Sequence, residues 1–298
     1  MSARTIDGRA LALKLRHALA RRSRAISKAK GAPVKLALLA SGDGAASAFL
    51  ASKLRVCAEL GIEARVWKIP ASARTADILA QLRASGADPG VDAIALDLPL
   101  PRGVEVEPIL DAIPPEKDAE GISPLNYGRL FQVRGYAEIE SSVLAAPCTA
   151  LAIVEMLRSV LARGAGRPAA VIGRSTIVGK PTAHLLSSLD FTVTLCHSKT
   201  KNLKEIVSRS EVVVGCAGVP GLIKGDWIRP GAAVLDAGAT PVGNALRGDV
   251  EYESACRRAR WITPVPGGVG PMTTAMLMAN TLRLAERRRL PARAHLAR

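Results

Sequence analysis

Aromatic side chains are scarce: three Trp, three Tyr and three Phe make up 3% of the 298 residues. Aliphatic groups must therefore fill the core, and the base stacking that holds single-stranded nucleic acid has few rings to use. No nucleic acid is expected as a partner. Cysteine is sparse too, and Cys57, Cys148, Cys196, Cys216 and Cys256 form no C-x-x-C pair. Their odd number argues against a complete disulfide framework, so they read as buried thiols in a reducing compartment. No run of about 18 uncharged apolar residues occurs, as a membrane-spanning helix would need. Arg4, Asp7 and Arg9 precede any apolar stretch that could act as a signal. The expectation is a cytoplasmic protein with no membrane partner. Acidic residues are short relative to basic ones, 26 against 41, leaving a net charge of +15. That excess attracts polyanions but says nothing about fold. Its clusters, Arg21 to Lys30, Arg257 to Arg260 and Arg287 to Arg289, read as solvated helix faces.

What is present is a globular composition, 48% hydrophobic and 22% charged, and a length that suits two domains at roughly 150 residues each. Asp7 is a plausible N-cap for a helix with Leu11, Leu15 and Leu19 on one stripe, ending before Gly31 and Pro33. Strands at 34–39, 64–69 and 92–96 alternate with helices at 47–60 and 75–85, the pattern of a parallel sheet with covering helices. A proline-punctuated passage from Pro99 to Pro124 reads as loop-rich and is placed at an interdomain cleft. A helix opens at Pro147-Cys148-Thr149. Apolar strands at 169–172, 191–196, 211–215 and 232–235 then form a second parallel sheet. The fold class is α/β with two parallel-sheet domains, and the helix at 272–289 is expected to return to the first. His184 and His295 read as surface or packing residues, and no cluster has metal-ligand spacing.

Three segments point to chemistry. The strand ending at Ile172 runs into Gly173-Arg174-Ser175-Thr176-Ile177-Val178-Gly179, a glycine turn feeding a helix, where free amides and the helix end suit a pyrophosphate. After the next strand, where an NAD site places an acid for the ribose, stand His197, Ser198, Lys199 and Thr200. With Arg174, these donors favour a 2′-phosphate, hence NADP. The third, Thr263 to Thr273, packs three prolines and three glycines into eleven residues, which fixes an irregular backbone suited to a rigid wall for a flat ligand or to a tight connection.

Together with Thr5-Ile6-Asp7-Gly8, Pro99-Leu100-Pro101, Pro115-Glu116-Lys117-Asp118 and Pro147-Cys148-Thr149, these segments resemble the bifunctional methylenetetrahydrofolate dehydrogenase/methenyltetrahydrofolate cyclohydrolase family, in order, from about Thr5 to Leu284. The resemblance implies a folate-binding catalytic domain (1–145 and 272–298), a Rossmann-like NADP-binding domain (146–271) and a homodimer. It implies hydride transfer from 5,10-methylenetetrahydrofolate to NADP, then hydration of the methenyl cation to 10-formyltetrahydrofolate. Carried over to this sequence, it assigns Gly173, Arg174, Ser175, Ile177, Val178, Gly179, His197, Ser198 and Thr149 to the cofactor. It assigns Phe49, Leu98, Pro99, Glu120, Pro266, Gly267 and Gly268 to the reduced folate, and Lys53 and Asp97 to catalysis.

The sequence departs from the family pattern at three of these positions. Phe49-Leu50-Ala51-Ser52-Lys53 stands where the family has Tyr-x-x-x-Lys, Asp97 replaces a glutamine, and Glu120 replaces an aspartate. The spacing of four puts Phe49 and Lys53 on one helical face, with a ring that stacks but cannot hydrogen-bond. If Asp97 pairs with Lys53, the ammonium is favoured and cannot take a proton from water. The expectation is an NADP-dependent dehydrogenase with weakened cyclohydrolase activity. A dehydrogenase for a different pterin one-carbon carrier and a noncatalytic NADP- or folate-binding relative remain open alternatives.

Overall fold

The computed structural model describes residues 2–41, 45–161, 164–243 and 245–289; His295 and the rest of the final stretch lie outside the described residues. Along the chain run β1 (Arg4–Thr5), α1 (Gly8–Lys30), β2 (Lys35–Ser41), α2 (Ala45–Leu60), β3 (Glu63–Ile69), α3 (Thr75–Ala87) and β4 (Ala93–Leu96). Three short helices follow, α4 (Val106–Asp111), α5 (Pro124–Gln132) and α6 (Tyr136–Ser142). Next come α7 (Cys148–Arg158), β5 (Pro168–Ile172), α8 (Gly179–Ser187), β6 (Thr192–Cys196), α9 (Leu203–Arg209), β7 (Val212–Gly215) and β8 (Ala233–Asp236). The chain finishes with β9 (Thr240–Val242), β10 (Ala245–Arg247), α10 (Tyr252–Cys256), β11 (Trp261–Ile262) and α11 (Val269–Arg289). It divides into two compact units. Among the described residues, one comprises Lys14–Gln132, Ser142–Ala146 and 277–289, and the other 2–13, Val133–Ser141 and Pro147–Met276.

In the unit that begins at Lys14, a three-stranded parallel sheet has the order β3-β2-β4. Central β2 is apolar on both faces, and Leu36, Leu38 and Leu39 are buried, as a parallel strand covered on both sides requires. Glycines stop the flanking helices: Gly31 after α1 has φ 71° and Gly61 after α2 has φ 67°, both in the left-handed region that glycine enters without strain. The last part of α11 belongs to this unit, as expected for the returning helix. Arg22 of α1 grips Glu286 with two guanidinium nitrogens, and Arg288 donates to the Val91 carbonyl at 2.5 Å.

The other unit carries a parallel sheet of order β1-β11-β8-β7-β5-β6. Its core joins Ala170, Ile172, Val213, Val234 and Ile262. The chain leaves β5 for β6 on one side and then crosses to β7 on the other, so the strand order reverses at β5. Such a switch point opens a crevice at the carboxyl ends of the strands. Asp7 caps α1 as expected, its Oδ1 accepting the amides of Arg9 at 2.8 Å and Ala10 at 3.1 Å.

The passage from Pro99 to Pro124 is loop-rich, with α4 inside it, and Pro124 opens α5, because proline suits a first helical turn whose amides have no intrahelical partner. One sequence expectation needs correction: Cys57, Cys148 and Cys196 are buried free thiols, but Cys216 and Cys256 are only half-buried.

Candidate active site and dinucleotide cradle

Helix α2 presents Phe49 and Lys53 one turn apart. Lys53 is 2% exposed, and its ammonium donates to Asp97 Oδ1 and to Glu120 Oε1, the latter at 3.1 Å. Asp97 leaves the end of β4, where its amide donates to the Leu39 carbonyl at 2.9 Å. Glu120 is held by a set of buried contacts around it. The amide of Ala119 donates to the Ile94 carbonyl at 2.9 Å, laying the segment beside β4. The Asp118 carboxylate accepts the amides of Gly121 at 2.9 Å and Ser123 at 2.7 Å and the side-chain amide of Asn126 at 3.0 Å. Gly121 has φ 68°, and a Cβ there would lie 2.4 Å from the Ala146 carbonyl carbon, so no side chain fits. From α11, the Asn280 Nδ2 donates to the carbonyls of Ala119 at 2.9 Å and Ala146 at 3.0 Å. Lys117 is structural: its ammonium donates to the carbonyls of Gly86 at 2.6 Å and Asp88 at 2.7 Å, capping the end of α3.

Burial by itself would lower the Lys53 pKa, but the charges of Glu120 and Asp97 outweigh it and hold the ammonium above the ordinary lysine range. The Lys53 Nζ lies 4.9 Å from the centre of the Phe49 ring, a cation–π contact in place of a hydroxyl hydrogen bond. Cys57, the next turn along, has its thiol pushed up to about 11 by burial, against the pull of the lysine charge. One cation faces two carboxylates, so the cluster carries a net negative charge. Leu98 is half-buried and Pro99 exposed, joined by a cis peptide.

The cradle stands in the other unit. Gly173 follows β5 with φ 129°, and a Cβ there would lie 2.2 Å from the Cys216 carbonyl oxygen. A Cβ on Gly179 would lie 2.0 Å from the Gly173 carbonyl oxygen, so the turn closes only around two glycines. The Ser175 hydroxyl accepts the amides of Val178 at 3.2 Å and Gly179 at 3.3 Å, shaping the entry to α8. Arg174 is exposed, and Ile177 and Val178 are half-buried. After β6, the His197 amide donates to Thr200 Oγ1 at 2.8 Å and the Lys199 amide to His197 Nδ1 at 3.2 Å. This compact turn leaves Ser198 and Lys199 exposed. Thr149 lies half-buried in the first turn of α7, which packs on α8. Gly173 and Gly179, whose missing side chains leave backbone bare beside a helix entry, suit a pyrophosphate.

Pro266, Gly267 and Gly268 belong to the cradle's unit, with a cis peptide before Pro266 and φ 107° at Gly267. A Cβ on Gly8 would come 1.8 Å from the Gly268 carbonyl oxygen, which explains the glycine in Thr5-Ile6-Asp7-Gly8. The structure thus brings Phe49, Lys53, Asp97 and Glu120 together, and gathers Gly173 to Gly179 beside the turn at His197. Sequence reasoning missed Asn280, Asp236 and Asp249, which are polar residues in apolar surroundings with no motif to mark them.

Known proteins extend this geometry. Residues 6–120 match the family profile for the tetrahydrofolate dehydrogenase/cyclohydrolase catalytic domain, and residues 147–289 match the profile for the NAD(P)-binding domain. The bifunctional protein FolD of Rhodospirillum rubrum is 41% identical over 296 residues, covering 97% of this chain and 99% of that protein. The FolD of Geotalea uraniireducens is 40% identical over 287 residues, covering 96% of this chain and 100% of its own. Among solved structures, the Trypanosoma brucei methylenetetrahydrofolate dehydrogenase-cyclohydrolase, complexed with NADP and an inhibitor, superposes with a TM-score of 0.92 at 35% identity, covering 98% of this chain and 100% of that one. The Campylobacter jejuni FolD follows with a TM-score of 0.88 at 34% identity, covering 96% and 100%. With both domains matched and relatives aligned from end to end, the chain belongs to the tetrahydrofolate dehydrogenase/cyclohydrolase family.

Proposed function

We propose that the chain oxidises 5,10-methylenetetrahydrofolate to the 5,10-methenyl cation with NADP, and hydrates that cation to 10-formyltetrahydrofolate only weakly. Family membership and the two-glycine cradle support the first half. The clamp of two carboxylates on Lys53 carries the second.

NADP, when bound, supplies the hydride acceptor. Gly173, Ser175 and Gly179 would hold its pyrophosphate, and Arg174, His197 and Ser198 its ribose phosphate, with Ile177, Val178 and Thr149 beside them. Phe49, Leu98, Pro99 and Glu120 would contact the folate. The oxidation breaks one C–H bond, sends both its electrons away as hydride and leaves a positive charge spread over the methenyl carbon and its two nitrogens. The negative Lys53–Asp97–Glu120 cluster favours that cation over the neutral substrate. Hydration is different, because an attacking water must lose a proton. The clamped Lys53 ammonium has no lone pair to accept it, and Phe49 offers no hydroxyl to relay it.

The test is turnover of 5,10-methylenetetrahydrofolate with NADP, following NADPH and the methenyl product together in a buffer where spontaneous hydrolysis is slow. Methenyl product should accumulate. Asp97→Gln removes one clamping charge, and should raise the ratio of cyclohydrolase to dehydrogenase activity about tenfold, the effect of one pKa unit on the free-base fraction. An unchanged ratio refutes the clamp; absence of NADPH refutes the activity. A homodimer in the cytoplasm is the accompanying expectation, checked by sedimentation velocity and by cell fractionation.

A further inference from the structure

Two buried carboxylates outside the lysine cluster have no role so far. Asp249 is fully buried, and its Oδ2 accepts the amides of Ala217 at 2.5 Å and Gly218 at 3.0 Å. Its Oδ1 is buried with no hydrogen-bond partner. Behind it, Asp236 accepts the amides of Gly238 and Asp249 on Oδ1 and of Val250 on Oδ2, each at 2.9 Å. The amide of Asp236 in turn donates to Thr263 Oγ1 at 2.7 Å. Room for the pair comes from glycine, since a Cβ on Gly248 would lie 2.0 Å from Asp236 Oδ2. Among the described residues, every hydrogen bond to the two carboxylates comes from a backbone amide, and no cation neutralises either. Two uncompensated anions in a protein interior are costly, and such groups concentrate where charge has a use.

Their place supplies one. The turn held by Asp249 follows β7 and abuts Gly173, whose missing side chain leaves room for the Cys216 carbonyl. It is therefore the far wall of the switch-point crevice, across which a dinucleotide lies with one half on each side. The β6 side, with His197 and Ser198, is the side for the phosphorylated ribose. The β7 side is left for the nicotinamide.

We propose that Asp249, backed by Asp236, is a positioning residue that sets the 216–218 turn beside the nicotinamide and biases the site toward the oxidised ring over the reduced one. The oxidised ring carries a positive charge that hydride addition removes, so a fixed anion behind its wall distinguishes the two forms. This inference rests on the NADP reading. It also gives the Thr263 segment a second task, because Thr263 anchors the pair through Asp236.

Equilibrium binding of NADP and of NADPH, measured by calorimetry without folate, tests it. Asp249→Asn keeps a carbonyl oxygen for the two amides and removes the charge. It should weaken NADP binding about five- to tenfold, the scale of one partly screened charge interaction, while changing NADPH binding less than twofold. Equal losses for both forms, or none, overturn the proposal. If that variant does not fold, the wild type decides. The NADP preference should fall as pH drops from 7.5 to 5, because burial, and then the charge of Asp249, push Asp236 up to about 6. The Cys216 thiol, which also faces the pair, is pushed up to about 12 by burial and stays neutral throughout. The 2′-phosphate titrates alike in both dinucleotides and cancels in the ratio. A ratio constant over that range overturns the proposal, whereas failure of both dinucleotides to bind the wild type overturns the NADP reading itself.

Discussion

Replacing Asn280 tests how the Glu120 turn is built. Its Nδ2 donates to two carbonyls, Ala119 at 2.9 Å and Ala146 at 3.0 Å, and the residue is 2% exposed, so water cannot take over. A typical buried hydrogen bond contributes about 0.5–1.5 kcal/mol net, so losing these two puts Asn280→Ala at about 1–3 kcal/mol less stable. Asn280→Asp should be worse, because a carboxylate facing two carbonyl oxygens repels them. The tryptophans allow the loss to be localised: Trp67 lies in the same compact unit as Asn280, and Trp227 and Trp261 in the other. In a Trp227→Phe/Trp261→Phe background, urea unfolding followed by Trp67 fluorescence should shift to lower denaturant for the Asn280 variants. A background keeping only Trp227 should show a smaller shift. In activity assays the folate KM should rise because Glu120 loses its support, while NADP affinity holds. A stability loss under about 0.5 kcal/mol, or an unchanged folate KM, would show that the turn stands without α11 and refute this account.

Two further outcomes follow from particular residues. Asp236 binds its proton more tightly folded than unfolded, its pKa being raised from 3.8 to about 6. Its contribution to stability therefore grows as pH falls from 7 to 4, by up to about 3 kcal/mol at 1.36 kcal/mol per unit. Chemical denaturation of wild type and Asp236→Asn across that range should give a stability difference that changes with pH, and a flat difference would contradict the assignment. Gly179→Ala sets a methyl group 2.0 Å from the Gly173 carbonyl oxygen. Calorimetry should then show NADP affinity lowered at least a hundredfold with folate binding retained, and near-native NADP affinity would mean that the dinucleotide lies elsewhere.

The parts of this architecture that follow a period were legible in the sequence. The alternation of strands and helices gave both parallel sheets, and the four-residue spacing put Phe49 and Lys53 on one face. Asp97 could be suspected as the lysine's partner because it replaces a neutral residue in a recognisable motif. What escaped had no period or came from far along the chain. Strand β1 is two residues long and exposed, stable only because β11 pairs with it. The β9–β10 hairpin is largely exposed, so its side chains carry no alternation of burial. Asn280 sits among apolar neighbours on a helix, and its partners are 161 and 134 residues away. Asp236 and Asp249 carry no motif in the sequence, and are buried because backbone amides converge on them.

The return of α11 to the unit that begins at Lys14 also sets an order of events during synthesis. Lys53, Asp97 and Glu120 are all made in the first half of the chain, yet one of the supports of the Glu120 segment arrives only with Asn280. At about 5–20 residues per second, some 10–30 s separate the two. During that interval the unit holding Asp236 and Asp249 is almost entirely translated and has its own sheet to form. The later-made unit can thus be first to mature, while the lysine cluster waits for a residue 161 positions beyond Ala119. When synthesis has reached Met276, every residue of the dinucleotide cradle's unit has been made, and Asn280, which supports the lysine cluster, has not.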